Sequence, residues 1–297
     1  MEYIPAKTIV TKTKAPAKWF GIDYNMNIYK GCCHGCIYCD SRSDCYRIDQ
    51  FDRVRAKENA LEIIRDDLRR KRVKGVVGTG AMSDPYNPFE RKLGLTRHAL
   101  ELCDAFDFGI AVATKSALLE RDTDILQSIA EHSPVLLKVT VTTADDGLAE
   151  KIEPHASRPG ERLGMIKKLS AAGLYTGILL MPVLPFIEDN QENVGEIIRR
   201  AEDAGARFIY PAFGMTLRGN QREWYYQKLD QLFPGEGLTE TYRKKYGEYY
   251  ECVSPRAGKL WEYFSKECKK RGIVYRMEDI ISQYKRPYTV SQMTLPF

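Results

Sequence analysis

The chain has 297 residues, 43% of them hydrophobic, which is enough for one large α/β domain or two small ones around a sizeable core. A net charge of +5 is mild and argues against strong nucleic-acid affinity, although a local basic groove stays open. No stretch is apolar for the length a bilayer span needs, and the opening MEYIPAKTIVTKTK lacks the apolar centre of a signal peptide, so a cytoplasmic protein is expected.

Residues 1–23 have no clear period and read as a lead-in segment. From about residue 24 a rhythm begins. Residues 25–30 are a short strand candidate running into a cysteine cluster. Residues 56–71 have helical spacing through Leu61, Ile64 and Leu68. Residues 73–79 form an apolar, β-branched run, residues 95–106 are helical, and GIAVAT at 109–114 is a strand. A helix with an acidic first turn is expected over 122–131. Residues 135–142 are a strand with almost no polar alternation. A helix over 162–172 stops at Gly173, a strand covers 174–183, a helix over 193–204 stops at Gly205, and a last strand covers 207–213. These are six β–α repeats. Near-continuous apolar strands belong to a sheet buried on both faces. Alternating β and α units imply a parallel sheet with right-handed crossovers, closed into a full or partial barrel or left open and doubly wound. In either arrangement chemistry gathers at the C-terminal ends of the strands. The polar clusters fall there: the cysteines after the first strand, residues 79–87 after the second, and residues 114–116 after the third.

After Gly214 the rhythm stops. Residues 215–297 are rich in tyrosine and charge, with 15 Lys and Arg against 10 Asp and Glu, and helices are expected at 221–232 and 255–271. Trp224, Tyr225, Tyr226, Tyr242, Tyr246, Tyr249 and Tyr250 interleave with Arg243, Lys244 and Lys245. Aromatic rings beside cations can stack bases and hold phosphates. They can equally pack as a helical cap over the open side of a barrel, and the small excess of charge favours the cap.

Eight cysteines stand at 32, 33, 36, 39, 45, 103, 252 and 268, five of them within fourteen residues. A secreted disulfide scaffold would be shorter and would spread them, so the cluster reads as a metal or redox site. Cys32, Cys36 and Cys39 make C-x3-C-x2-C. Three thiolates on a glycine-bearing loop can wrap an iron–sulfur cubane, whose fourth iron then keeps an open position. A structural zinc site is the competing reading, with Cys33, His34 or Cys45 as fourth ligand. Ser83 and Asp84 in Ser-Asp-Pro read as a turn or as pocket groups. Lys115, which ends the third strand, reads as a surface lysine or a pocket cation. Thr140 is a strand former or a pocket hydroxyl. Arg158 and Arg162 sit at a helix start, where the macrodipole disfavours cations, which calls for a partner: a cofactor carboxylate, a substrate, or a nearby acid such as Glu153. The four histidines are scattered, and no HExxH, GxGxxG or Walker sequence is present.

The stretches NIYKGCCHGCIYC (27–39), SDPYNPFERKLGLTR (83–97), ATKSALLERDTDIL (113–126), VTVTT (139–143), KIEPHASRPGERL (151–163) and GILLMPVLPFIED (177–189) together resemble the radical S-adenosylmethionine superfamily, and within it the spore photoproduct lyase-like, DNA repair photolyase-related group. The resemblance implies a partial (βα)6 TIM-like barrel over 24–214, with residues 215–297 as a helical, tyrosine-rich extension capping it. It implies a [4Fe–4S] cluster on Cys32, Cys36 and Cys39, and S-adenosylmethionine cleaved reductively to a 5′-deoxyadenosyl radical. Cofactor contacts are then implied for Asp84 with Ser83 at the amino group, for Lys115 and Arg162 at the carboxylate, and for Thr140 at the ribose. Backbone groups of Leu180 and Met181 would meet the adenine, with Tyr38 beside the cluster. A flavodoxin- or ferredoxin-type reductant is implied. The substrate classes implied are a nucleic-acid lesion or else a small molecule or peptide. Spore photoproduct lyase carries a hydrogen-donating cysteine just after its second strand, whereas residues 77–82 here contain none; Cys252, Tyr38 or Cys45 are the replacement donors in view. A zinc-bearing nucleic-acid module and an iron–sulfur electron carrier are the other function classes that the residues allow.

Overall fold

The computed structural model describes residues 1–16 and 19–289. Two short strands, β1 (Glu2–Ile4) and β2 (Val10–Lys12), precede β3 (Tyr24–Met26). The chain then leaves the main sheet: β4 (Tyr29–Lys30) pairs antiparallel with β5 (Arg55–Lys57), which lies parallel to β1. The repeating part follows as α1 (Ala60–Arg70), β6 (Val76–Thr79), α2 (Glu90–Leu93), α3 (Leu95–Ala105), β7 (Gly109–Thr114), α4 (Thr123–His132), β8 (Val135–Thr140), α5 (Asp146–Ile152), α6 (Pro159–Ala171), β9 (Thr176–Leu180), α7 (Gln191–Asp203) and β10 (Phe208–Pro211). The main sheet has the order β10-β9-β8-β7-β6-β3-β2. Six of its strands are parallel and only β2 runs antiparallel, at the β3 edge. This is the arc of a partial (βα)6 barrel.

Two cores follow from the strand alternation. One face packs on the helices: Ile110 and Val112 of β7, Leu137 and Val139 of β8, and Ile178 and Leu180 of β9 meet Leu100 and Cys103 of α3, Ile129 of α4, Ile166 of α6 and Ile197 of α7. The inner face carries Val76, Ala111, Leu136, Leu179 and Phe208. It is stoppered by Phe20 and Ile22 from the segment before β3.

Beyond the barrel come β11 (Gly214–Thr216), α8 (Gly219–Leu232), α9 (Leu238–Tyr246), β12 (Glu251–Val253), α10 (Ala257–Lys270) and α11 (Met277–Lys285). β11 and β12 form a two-stranded antiparallel sheet. Helices α8 and α9 bury Tyr225, Tyr226, Tyr242 and Tyr246 against Leu184, Ile152, Ile37 and Tyr38, so four of the tail tyrosines pack as a cap. Helix α11 adds Ile280 and Tyr284 to the stopper, and the Tyr284 hydroxyl donates to the Phe20 carbonyl at 2.6 Å.

Four expectations change. Residues 1–23 are not a free lead-in, because β2 extends the main sheet and Phe20 fills the barrel. The strand over 25–30 is broken, since the chain must turn out of the sheet to reach the cysteine loop. The helix expected over 56–71 starts at Ala60, after Asn59 takes a left-handed conformation at φ 50° and residues 55–57 have paired as a strand. The extension is not purely helical: it holds β11 and β12, and its last eight residues lie outside those described.

Replacing the fully buried Phe20 with alanine removes the ring that joins the stopper to the barrel interior. Phe20→Ala is expected to cost about 3–5 kcal/mol. In thermal denaturation the midpoint should fall by about 10 °C.

Candidate functional site

The cysteine loop is pinned by backbone contacts on both flanks. Cys32 N donates to Phe51 O at 2.9 Å, Ile37 N to Ile152 O at 3.0 Å, and His155 N to His34 O at 3.0 Å. Gly31, at φ 82°, lies so close to the 51–53 segment that a Cβ would stand 2.6 Å from two of its carbonyl oxygens. Only glycine permits that approach.

Cys32, Cys36 and Cys39 line one cavity of about 340 Å³ at the C-terminal ends of the parallel strands. Burial pushes all three thiols up, Cys32 to about 12, and nearby acids add to the effect: Asp84 at Cys32, Glu153 at Cys36 and Asp40 at Cys39. Ionising them together therefore calls for a cationic group in the cavity. Among the described residues no three His, Cys, Asp or Glu side chains are arranged to hold one metal ion. Three thiols of one loop that line one cavity are a donor set of the kind a cubane takes, with one iron left open. Cys45 is exposed, and Cys33 lines a different pocket beside Trp224 and Lys228.

Ser83, Asp84, Lys115, Thr140 and Met181 line the same cavity. Asp84 is engaged within the protein: it accepts from Thr114 Oγ1 at 2.7 Å, Tyr86 N at 2.9 Å and Lys115 N at 2.8 Å, and His34 Nδ1 lies 3.4 Å away. It both makes the turn and braces the end of β7. Ser83 Oγ is buried with no hydrogen-bond partner among the described residues, which leaves it free for a ligand. The ammonium of Lys115 stands over the Tyr38 ring at 5.5 Å. Burial opposes its charge, but Cys36 and Glu153 outweigh burial and hold its pKa above the usual value.

A fully buried network lies behind this wall. The Tyr38 hydroxyl donates to Glu153, which pairs with Arg162. Arg162 also donates to Ser157 O at 2.6 Å and Thr140 O at 2.9 Å. Burial works to raise the Glu153 pKa, and Arg162 with Lys115 overrides it, so the carboxyl is held below its usual range. Arg162 therefore does not face the cavity, and its expected contact with a cofactor carboxylate is corrected to a structural pair with Glu153. Its guanidinium spends its donors on the strand and loop that form the wall.

The Leu180 side chain is buried among the helix-facing residues while Leu179 and Met181 line the cavity, so a contact of Leu180 with a ligand there would fall to its backbone. Cys252 lines neither this cavity nor the adjoining one. It is packed with Tyr225 and Tyr242, and its thiol lies 3.8 Å from the Tyr249 carbonyl. In both cases strand alternation turns the side chain to the far face. Tyr38 borders both cavities, but its hydroxyl is committed to Glu153.

The adjoining cavity, of about 690 Å³, shares Tyr38, Cys39, Ser41, Ala81, Lys115 and Met181 with the first. Its outer walls are Phe213, Met215, Val253 and Trp261, with Asp40 and Glu251 as its acids. Sequence reasoning missed this cavity, because β11, β12 and α10 come together only in space. It also missed Trp19, Asn25 and Lys138 on the first cavity. For Lys138 there was a signal: one cation inside an otherwise apolar buried strand.

The sequence model of the Radical SAM superfamily matches residues 26–207. An uncharacterized protein of Mycobacterium tuberculosis is 31% identical over 230 residues, covering 75% of this chain and 67% of its own length. One of Methanocaldococcus jannaschii is 30% identical over 196 residues, covering 65% and 71%. One of Acidianus two-tailed virus is 25% identical over 274 residues, covering 86% and 88%. Among solved structures, a spore photoproduct lyase mutant with AdoMet and dinucleoside spore photoproduct bound superposes with a TM-score of 0.67 at 16% identity, covering 93% of this chain and 81% of its own. A radical S-adenosylmethionine methyltransferase from Kitasatospora setae, with tryptophan and a SAM analog, gives 0.52 at 12% identity, covering 83% and 51%. At these identities the structural likenesses speak to the fold. No helix among the described residues is long and apolar enough to cross a membrane.

Removing Arg162 would strand the buried Glu153 charge. Arg162→Met is expected to cost about 3–5 kcal/mol in denaturant unfolding. The variant should also retain less iron after anaerobic reconstitution, because Tyr38 loses its anchored partner.

Proposed function

Because this chain belongs to the radical S-adenosylmethionine superfamily, we propose that it directs that chemistry at a compact organic substrate seated at the mouth of the barrel. As a member it is a radical S-adenosylmethionine enzyme with a [4Fe–4S] cluster and S-adenosylmethionine as cofactors. Bound together, these supply a 5′-deoxyadenosyl radical that takes a hydrogen atom from a substrate.

The protein's share is to bind, orient and exclude water. Cys32, Cys36 and Cys39 would hold three irons. Ser83, with its unpartnered hydroxyl, and Lys115, with its charge kept, would receive the amino acid end of the cofactor. Asp84 would shape that end by fixing Thr114 and Lys115. Thr140, Leu179 and Met181 would face the nucleoside, and Glu153 with Arg162 would hold Tyr38 against the loop. A flavodoxin- or ferredoxin-type protein is the proposed electron source. Eight free thiols support a reducing, cytoplasmic setting.

One observation carries the substrate reading: the second cavity joins the cofactor cavity through Ala81, Lys115 and Met181, and its walls are apolar with Asp40 and Glu251. The one arginine bridging to Asp40, Arg218, is paired with it at 2.6 Å. Such a mouth suits a small molecule or peptide better than a polyanion. A lyase-like reaction on a nucleic-acid lesion is the second reading, favoured by the fold shared with spore photoproduct lyase. Ala81, in the stretch where the sequence of that enzyme would carry its donor cysteine, speaks against the same termination step.

Dithionite-reduced, reconstituted protein should convert S-adenosylmethionine to 5′-deoxyadenosine and methionine. Cys36→Ala should lower that rate by about two orders of magnitude or more, whereas Cys45→Ala should stay near wild type. Equal rates for Cys36→Ala and wild type would remove the cluster assignment.

The substrate readings separate by fluorescence anisotropy with short single- and double-stranded DNA across a salt series. Weak binding with a shallow salt slope is expected. Tight binding at low salt that falls steeply with salt would favour the lesion reading instead.

A further inference from the structure

Lys138 has no place in the roles assigned so far. It lies in the middle of β8 and is only 2% exposed. The pleat turns it inward, on the same face as Leu136 and Thr140. Beside it in register stand Ala113 of β7 and Gly177 of β9, and the Phe20 ring lies 4.7 Å from its nitrogen. Gly78 and Ala111 keep the neighbouring inner positions small. Among the described residues its nitrogen has no ion pair and no hydrogen bond.

A lysine is rarely buried without a partner, because desolvating the ammonium is costly. The Phe20 ring face is its one favourable contact among the described residues; burial pushes its pKa down to about 7, and no acid or base contributes. The acids and cations of the cavity, Asp84, His34 and Lys115, belong to its cysteine end. The same cavity is also lined by Trp19, Ile22, Asn25, Gly78, Ala113 and Leu179, none of which is charged. Asn25 spends its amide on Thr13 Oγ1 at 3.1 Å.

We propose that the deep end of the cofactor cavity is an anion subsite, in which Lys138 is the counter-ion for a carboxylate or phosphate group of the substrate. The amine is nine-tenths buried and lines the cavity, and no protein acid competes for it. Ala81 and Met181 border both cavities, so a substrate at the mouth would have to share the first cavity with the cofactor to place its anionic group at Lys138. This inference rests on the reading of the two cavities as cofactor and substrate space. An anion at Lys138 also restores the charge on the amine, so binding takes up a proton near neutral pH.

Competitive acetylation with trace acetic anhydride on the reconstituted protein, read lysine by lysine by mass spectrometry, tests it. Lys138 should become reactive with a midpoint near 7, against about 10 for surface lysines. Tens of millimolar inorganic phosphate or acetate, at an ionic strength matched with chloride, should slow its labelling about threefold or more. The stronger protector identifies the substrate group. A midpoint near 10, or labelling that neither anion slows, overturns the proposal. Protection by S-adenosylmethionine alone also overturns it, by making Lys138 a cofactor contact.

If the reagent cannot reach Lys138 at all, thermal denaturation decides. Phosphate or acetate should stabilise wild type over chloride, and Lys138→Met should abolish that difference; an equal shift in both proteins contradicts the subsite. Neither readout needs the radical reaction. A failure here therefore leaves the cluster and cofactor assignment standing, and an inactive cluster leaves Lys138 testable.

Discussion

The ion pair between Glu153 and Arg162 is buried to about the same degree on both sides and ties together the cysteine loop, β8 and the 153–157 turn. Glu153 receives the Tyr38 hydroxyl from the cysteine loop, and Arg162 grips the carbonyls of Thr140 and Ser157. Lys115 completes the balance: its charge helps keep Glu153 ionised, while Glu153 helps keep Lys115 protonated. Breaking such a pair leaves an uncompensated charge, so the network has one arrangement rather than several. The cysteine loop has no regular secondary structure of its own over its metal-binding residues. Its position depends on this pair and on the backbone contacts at residues 51 and 152–155.

The barrel supplies the rest. Toward the axis the parallel strands carry Val76, Ala111, Leu136, Leu179 and Phe208. Gly78 and Gly177 let Ile22 and Phe208 pack close against the sheet, and Gly78 and Ala113 line the cavity. The floor is closed from outside the repeating part, by Phe20 from the first residues and Tyr284 from the last helix, so both ends of the chain are tied to the same space. The mouth is closed on one side by the tyrosine-rich helices α8 and α9 and bordered on another by β12 and α10. Aromatic side chains that look like a stacking surface in the sequence are mostly interior, because each hydroxyl finds a partner there: Tyr225 with Tyr242, and Tyr246 with the Val253 carbonyl.

Much of this could be read before any coordinates. Six apolar runs separated by amphipathic helices specify a parallel sheet, and C-x3-C-x2-C marks a metal or redox site at the end of its first strand. What could not be read is which face a residue takes when both faces are buried. An apolar run such as residues 174–183 does not distinguish Leu179 from Leu180, and Cys252 gave no sign that β12 turns it toward Tyr225. Arg162 was recognised as needing a partner, but the choice between a cofactor and Glu153 rests on a contact formed only when α6 folds back on the 153–157 turn. Lys138 was overlooked because a strand argument counts apolar neighbours and lets one exception pass.

The central claim is that Cys32, Cys36 and Cys39 hold three irons of a cubane and leave the fourth for the cofactor. Mössbauer spectroscopy of protein reconstituted anaerobically with iron-57 tests it most directly. The account predicts about four irons and four sulfides per chain, with one iron subsite changing its isomer shift when S-adenosylmethionine is added. A single bound zinc without labile sulfide, or four iron subsites that S-adenosylmethionine leaves unchanged, would contradict it.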